Sequence, residues 1–137
     1  MEKAYRHVIE EANDSLFVDG NVDDVGDFFA KDYAVHITGR DLNGGHKGVR
    51  DVVGELRKSF PDITVDVEIL VEGHDRVAWQ RTLRGTHKSK FKGFPGSGLL
   101  IEWRDMVTSR FSDGRIVEEW VVTDLAEQLL LSRKRNA

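Results

Sequence analysis

Apolar residues recur at helical spacing from the start of the chain. Tyr5, Val8, Ile9, Ala12, Leu16 and Phe17 mark one face of an amphipathic helix predicted over residues 2–18, and Gly20 is placed to end it. Asn21 is then positioned to cap a short second helix, with Asp23 and Asp24 in its positively polarised first turn and Val22, Val25, Phe28 and Phe29 on its buried face. Tyr33–Thr38 reads as a short strand. Gly44, Gly45 and Gly48 break the chain before another helix, in which Val49, Val52, Val53, Leu56 and Phe60 form an apolar stripe. Pro61 stops that helix, because it disfavours helical backbone at Phe60 and has no N–H to donate.

Beyond Pro61 the period changes from helical to alternating. Ile63, Val65, Val67 and Ile69 lie on one face of a first strand, and RVAWQRTLRGTH (76–87) follows after a Gly73-His74-Asp75 turn. LLIEWRDMVTSRF (99–111) is a third strand, Asp113-Gly114 a hairpin turn, and RIVEEWVVTD (115–124) a fourth. LAEQLLLSRK (125–134) closes the chain as a helix. Helices first, a four-strand antiparallel meander, then one helix predict an α+β fold. A strongly bent sheet with helices across its mouth forms a cone, whose interior suits a small-molecule ligand.

Composition narrows the function. A chain of 137 residues with 39% apolar and 32% charged residues, and no linker or repeat, reads as one globular domain over 1–137. Net charge is −4 with both signs mixed along the chain, which argues against a nucleic-acid surface; the basic run Arg133-Lys134-Arg135 reads as a solvated tail. With no cysteine, disulfides and thiol catalysis are excluded, which suits a reducing cytoplasm. The opening MEKAYRHVIEEA lacks the apolar core of a signal peptide, and no apolar run approaches membrane-span length.

Five scattered histidines (7, 36, 46, 74 and 87) form no metal-ligand pair, and there is no Walker, dinucleotide or GxSxG motif. GFPGSG lies between two strands and opens no helix, so it reads as a loop. Acid–base chemistry remains. Strict alternation puts Ile116, Glu118, Trp120, Val122 and Asp124 on one face; if Trp120 and Val122 point into the cone, Asp124 stands at the end of an apolar wall where desolvation raises its pKa. The same residue precedes the last helix, and Asp124-x-x-Glu127 has the spacing of a capping box, which spacing alone favours. His36 on the first strand and His87 at the end of the second are candidates to orient a substrate carbonyl or the acid. Arg81 shares a face with Val77, Trp79, Leu83 and His87, and needs a carboxylate from Glu102 or Asp105 if buried; Asp105 in turn shares a face with Ile101, Trp103 and Val107. Periodicity does not say which faces point inward, and a bulge reverses the assignment. Residues 88–98 are long for a hairpin connection: Lys88, Lys90 and Lys92 suit edge protection, whereas Phe91 and Phe94 suit a lid over a pocket mouth.

Taken in order, FPD (60–62), GHDRVAWQRTLRGTH (73–87), F-x-G-x-P (91–95) and RFSDGRIVEEWVVTD (110–124) resemble the SnoaL-like polyketide cyclases, within the nuclear-transport-factor-2-like superfamily. The resemblance covers nearly the whole chain. It implies a cone-shaped α+β fold, commonly a homodimer, with a pocket that needs neither metal nor organic cofactor. It also implies that Asp124, the aspartate after the tryptophan, is the acid/base of an intramolecular aldol closure. His36 and His87 are implied as further catalytic groups, with Trp120, Arg81, Trp79, Trp103 and Phe91 lining the substrate pocket. Two departures bear on lining and lid: Gln80-Arg81 where an arginine and an aromatic are frequent, and Pro95-Gly96-Ser97-Gly98 where Pro-Pro-Thr-Gly is usual. The expected function is a cofactor-free cyclase acting on a small carbonyl compound. Isomerisation or water addition on the same cone, marked by polar groups converging on one water, and a non-catalytic ligand-binding cone, marked by a filled pocket, are the alternatives.

Overall fold

The computed structural model describes residues 4–135, with the side chain of Arg135 outside the described set. The first residues of the predicted helix 2–18 and the end of the basic tail therefore lie outside the described residues.

The apolar stripe of the first segment forms α1 (Tyr5–Ala12), which continues as a wider π-helical stretch over Asn13–Val18. Gly20 ends it at φ +75°, a left-handed conformation suited to glycine. A 3₁₀ turn (Val22–Asp24) and α2 (Val25–Phe28) follow, but Asn21 makes no side-chain capping bond. β1 spans Phe29–Ile37, and a tight turn through Thr38 and Gly39, both at positive φ, leads into the three-residue β2 (Arg40–Leu42). β2 was not legible in sequence: all three of its residues are exposed, so no apolar alternation marks it. α3 (Gly45–Ser59) stops at Phe60, as Pro61 requires. Then come β3 (Thr64–Glu72), β4 (Arg76–Thr86), β5 (Leu100–Ser112), β6 (Arg115–Thr123) and α4 (Leu125–Arg135).

The strands form one curved, unclosed sheet in the order β2-β1-β6-β5-β4-β3. The predicted meander is β3 to β6, antiparallel throughout. Outside the meander, β1 lies parallel to β6. Parallel neighbours require a long crossover, and the chain supplies one through α3 and the meander. One face of the sheet is buried, with Val77, Trp79, Leu83, Ile101, Trp103, Val107 and Ile116 under the helices, and the other is exposed.

A bulge decides which residues of β6 face inward. Phe111 pairs with Ile116 but Arg110 pairs with Glu118, so Val117 is an extra residue that reverses the alternation. Ile116, Glu119 and Val121 are buried, whereas Val122 is 63% exposed. The sequence-based grouping of Ile116 with Glu118, Trp120 and Val122, and the supposition that Trp120 and Val122 enter the cone, are thereby corrected.

Two of the motifs are structural partners. Phe60 is fully buried against Trp103, His87 and Phe91, with ring centroids 4.8, 5.1 and 6.1 Å away. A Cβ on Gly85 would fall 2.7 Å from Phe60 Cβ, so the glycine of GTH makes room for the phenylalanine of FPD. Asp62 accepts from both the N–H and the hydroxyl of Thr86, each at 2.7 Å. These hydroxyl and amide bonds hold its carboxyl below the usual carboxylate range. The 88–98 segment is latched to the end of α3. Lys88 N–H donates to Ser59 O, and Ser89 Oγ donates to Lys58 O, which satisfies carbonyls that a helix end leaves open.

Candidate active site

The mid-sheet positions that face the helices carry polar side chains among apolar neighbours. β4 contributes Trp79 and Arg81, β5 contributes Asp105 and Ser109, and β6 contributes Glu119, while Tyr33 enters from β1 and Asn13 from the π stretch of the first helix. Arg81 Nε donates to Asp105 Oδ2 at 2.9 Å, and its Nη1 donates to Asn13 Oδ1 at 2.8 Å. Its guanidinium also lies 4.7 Å from the Phe17 ring centroid and 5.3 Å from that of Trp79. Asn13 is held in turn by donation to Ile9 O at 2.8 Å, inside its own helix. Of the two partners that sequence offered Arg81, Asp105 is the one it meets; Glu102 instead pairs with Arg84 on the exposed face.

Glu119 lies at the centre of this network. Tyr33 donates its hydroxyl to Glu119 Oε1 at 2.6 Å, and Ser109 donates to Oε2 while accepting from Trp79 Nε1 at 2.9 Å. Burial pushes the Glu119 carboxyl above the ordinary glutamate value, and the nearby Asp105 charge adds to that; the two hydroxyl bonds and Arg81 act against it. Burial likewise raises the Tyr33 phenol, with the Glu119 charge in support. Glu119 and Asp105 are 7% and 6% exposed, and Asp105 Oδ1 has no hydrogen-bond partner among the described residues. Two carboxyl groups, one guanidinium and two hydroxyls thus converge on one buried face. That combination can exchange a proton and hold a developing oxyanion.

Asp124 stands elsewhere, at the junction of β6 and α4. Its Oδ1 accepts the Arg104 N–H at 2.7 Å, its Oδ2 accepts the Gln128 side chain at 3.2 Å, and its carbonyl accepts the first bond of α4. Gln128, one residue beyond the Glu127 of the expected capping box, is the side chain that reaches it. His87, Phe91 and Trp103 pack around the Phe60 ring. Trp79 and Arg81 are the sequence-predicted lining residues that the network includes.

His36 and Trp120 lie on the exposed face, because Trp120 pairs with Thr108, on the opposite side of β5 from Val107. His36 Nδ1 is 2.6 Å from Asp41 and Nε2 is 2.7 Å from Glu118, and its ring stacks on Trp120 at 5.3 Å. Asp41 first and Glu118 second raise the imidazole above its ordinary pKa, and His36 first holds Glu118 below its own. The clamp joining β2, β1 and β6 is therefore complete between the depressed Glu118 value and the raised His36 value. Its contribution is lost as pH rises through the His36 pKa or falls through that of Glu118. An imidazole NMR titration is expected to place the His36 midpoint above 6.5, with amide protection of β2 falling over the same range. A midpoint at or below 6.5 contradicts the clamp.

Glu119, Tyr33, Ser109 and Asn13 escaped the sequence reading. The signal that finds Glu119 is the pairing of Val121 with Val107, which fixes the parity of β6 from its far end and is unaffected by the bulge. Among the described residues no group of three or more histidine or acidic side chains is placed to hold a metal, and no helix is long and apolar enough to cross a membrane.

The profile of the SnoaL-like polyketide cyclase family matches residues 7–130. IdmH of Streptomyces antibioticus, a candidate polyketide cyclase, superposes with a TM-score of 0.81 at 27% identity over 96% of this chain and 99% of its own. A SnoaL-like polyketide cyclase of Agrobacterium tumefaciens gives 0.76 at 27% identity over 93% and 98%. A candidate cyclase of Acidithiobacillus ferrooxidans gives 0.80 at 25% identity over 95% and 94%. No curated protein matches the chain. The curved sheet, the burial of its helix-covered face and a profile that runs from the first helix into the last agree with one another, and the chain belongs to the SnoaL-like polyketide cyclases.

Proposed function

We propose that the chain is a cofactor-free acid/base enzyme of the cyclase kind, acting on a small carbonyl compound, and that Glu119 rather than Asp124 moves the proton. The observation that carries this reading is the buried Glu119 carboxyl, raised by desolvation and held between two hydroxyls. Ionised Glu119 removes a proton from carbon activated by flanking carbonyls, and the electron pair passes to the carbonyl oxygen as an enolate. Once Glu119 takes up the proton its oxygens no longer need both hydroxyl donors, and Tyr33 or Ser109 turns its O–H to that oxygen. The enolate carbon then forms a bond to a second carbonyl carbon of the same molecule, and the protonated Glu119 returns its proton to the resulting alkoxide. In this reading Arg81 and Asp105 position the wall, and Asp124, which accepts the Arg104 N–H and the Gln128 side chain where β6 meets α4, is a supporting group along with His36 and His87.

Burial of Glu119 and Asp105 favours one rival, in which the network only ties the first helix to the sheet of a ligand-binding protein. Ethyl acetoacetate in D₂O separates the two. Protein-dependent loss of its C2 proton signal is expected of the enzyme, and exchange no faster than in buffer contradicts it.

The same reading includes a homodimer formed through the exposed sheet face. Met106 and Val122, 51% and 63% exposed, are directly paired there, with Trp120 beside them. Sedimentation is expected to give twice the 15.6 kDa chain mass, falling to the monomer in Met106→Glu. A monomeric parent chain contradicts it.

A further inference from the structure

We infer that the cavity between the 88–98 loop and α4 is a second binding site, for a single aromatic ring that carries a hydroxyl and a carboxylate. It lies apart from the Glu119 network, none of whose residues line it, and the inference holds whether or not Glu119 is catalytic.

The observation behind it is His87, which is 1% exposed and lines this cavity. One face of its ring stacks on Phe60 at 5.1 Å. Burial lowers its pKa, so the ring is neutral near pH 7, with the Ser89 backbone acting against that shift. Nε2 is buried with no partner among the described residues, and in the tautomer that carries the proton on Nδ1, the form we assign, it presents an unused lone pair. A buried acceptor left unpaired costs free energy, which a ligand O–H recovers.

The surroundings define the rest of the ligand. The cavity is about 170 Å³, and a cavity of roughly 150 Å³ is known to accept benzene. Phe94 and Leu129 supply apolar wall for a ring, and Arg133, exposed on α4, supplies the cation for an acidic substituent. The loop side is built to shape: a Cβ on Gly96 would fall 2.4 Å from Lys88 O, so the backbone passes where no side chain fits. Ser59 Oγ donates to Lys90 O at 3.1 Å, which fixes the loop to α3. The site is therefore preformed rather than closed over by a lid, and a neutral imidazole at its inner wall selects a donor such as a phenol over a second anion.

Calorimetry with 4-hydroxybenzoate as the ligand tests this. The intact protein is expected to bind it about tenfold more tightly than benzoate, which lacks the donor, and Arg133→Ala is expected to weaken it by a similar factor. His87→Phe keeps the stacking on Phe60 and is expected to abolish the preference for the hydroxylated acid. Equal affinity for the two acids in the intact protein, or an unchanged preference in folded His87→Phe, overturns the inference. The imidazole ¹⁵N spectrum of the intact protein decides without any variant: 4-hydroxybenzoate must move the His87 Nε2 resonance, and a resonance that stays in place overturns the site.

Discussion

Glu119→Gln is expected to slow protein-dependent exchange at C2 of ethyl acetoacetate by roughly 10²–10⁴-fold, the range by which a positioned general base contributes. The amide has nearly the shape of the carboxyl and keeps a carbonyl oxygen for the Tyr33 hydroxyl, while its NH₂ can donate to Ser109 Oγ. The fold should therefore survive while the proton acceptor is lost, and a circular dichroism spectrum like that of the parent checks this. Asp124→Asn removes only the charge from a group that bonds the Arg104 N–H where β6 ends and the Gln128 side chain of α4, so exchange should be nearly unchanged. The reverse pattern, with Asp124→Asn inactive and Glu119→Gln active, returns the acid/base role to Asp124.

Arg81→Met is expected to destabilise the fold by about 3–5 kcal/mol, the usual cost of removing one partner from a buried ion pair. Arg81 is 14% exposed at its side chain, and it binds Asp105 and Asn13 together, so its loss strands one carboxylate and one amide oxygen at once. Asp105 already has one oxygen without a partner, which leaves it little alternative. Replacing both members, as Arg81→Met with Asp105→Leu, should recover much of the loss, since an apolar pair of similar volume carries no stranded charge. Urea denaturation of the three proteins measures this. A single variant within about 0.5 kcal/mol of the parent, the scale of an ordinary surface substitution, contradicts the burial of the pair.

Much of the fold was legible because its signals are local. The stripe Val49, Val53, Leu56 and the stop at Pro61 mark α3, and the alternation of Ile63, Val65, Val67 and Ile69 marks β3. The parallel pairing of β1 with β6 was not legible, since residues eighty positions apart leave no pattern in either segment. The inward face of β6 was not legible for a different reason. One extra residue at Val117 reverses every later assignment on β6, so alternation counted from Ile116 placed Trp120 inside and Glu119 outside. Arg81 was legible as needing a carboxylate from the next strand, but the choice between Glu102 and Asp105 is made by the register, which sets Arg81 opposite Asp105. The motif residues of FPD and GTH stood out in sequence for a structural reason: Phe60 needs Gly85, and Asp62 needs Thr86.

The carboxyl ¹³C shift of Glu119 followed against pH, identified by its absence in Glu119→Gln, tests the central claim most directly. A midpoint above 4.5, together with movement of this resonance and not that of Asp124 when ethyl acetoacetate is added, is the predicted result. A midpoint at or below 4.5, or a response from Asp124 while Glu119 stays fixed, contradicts it.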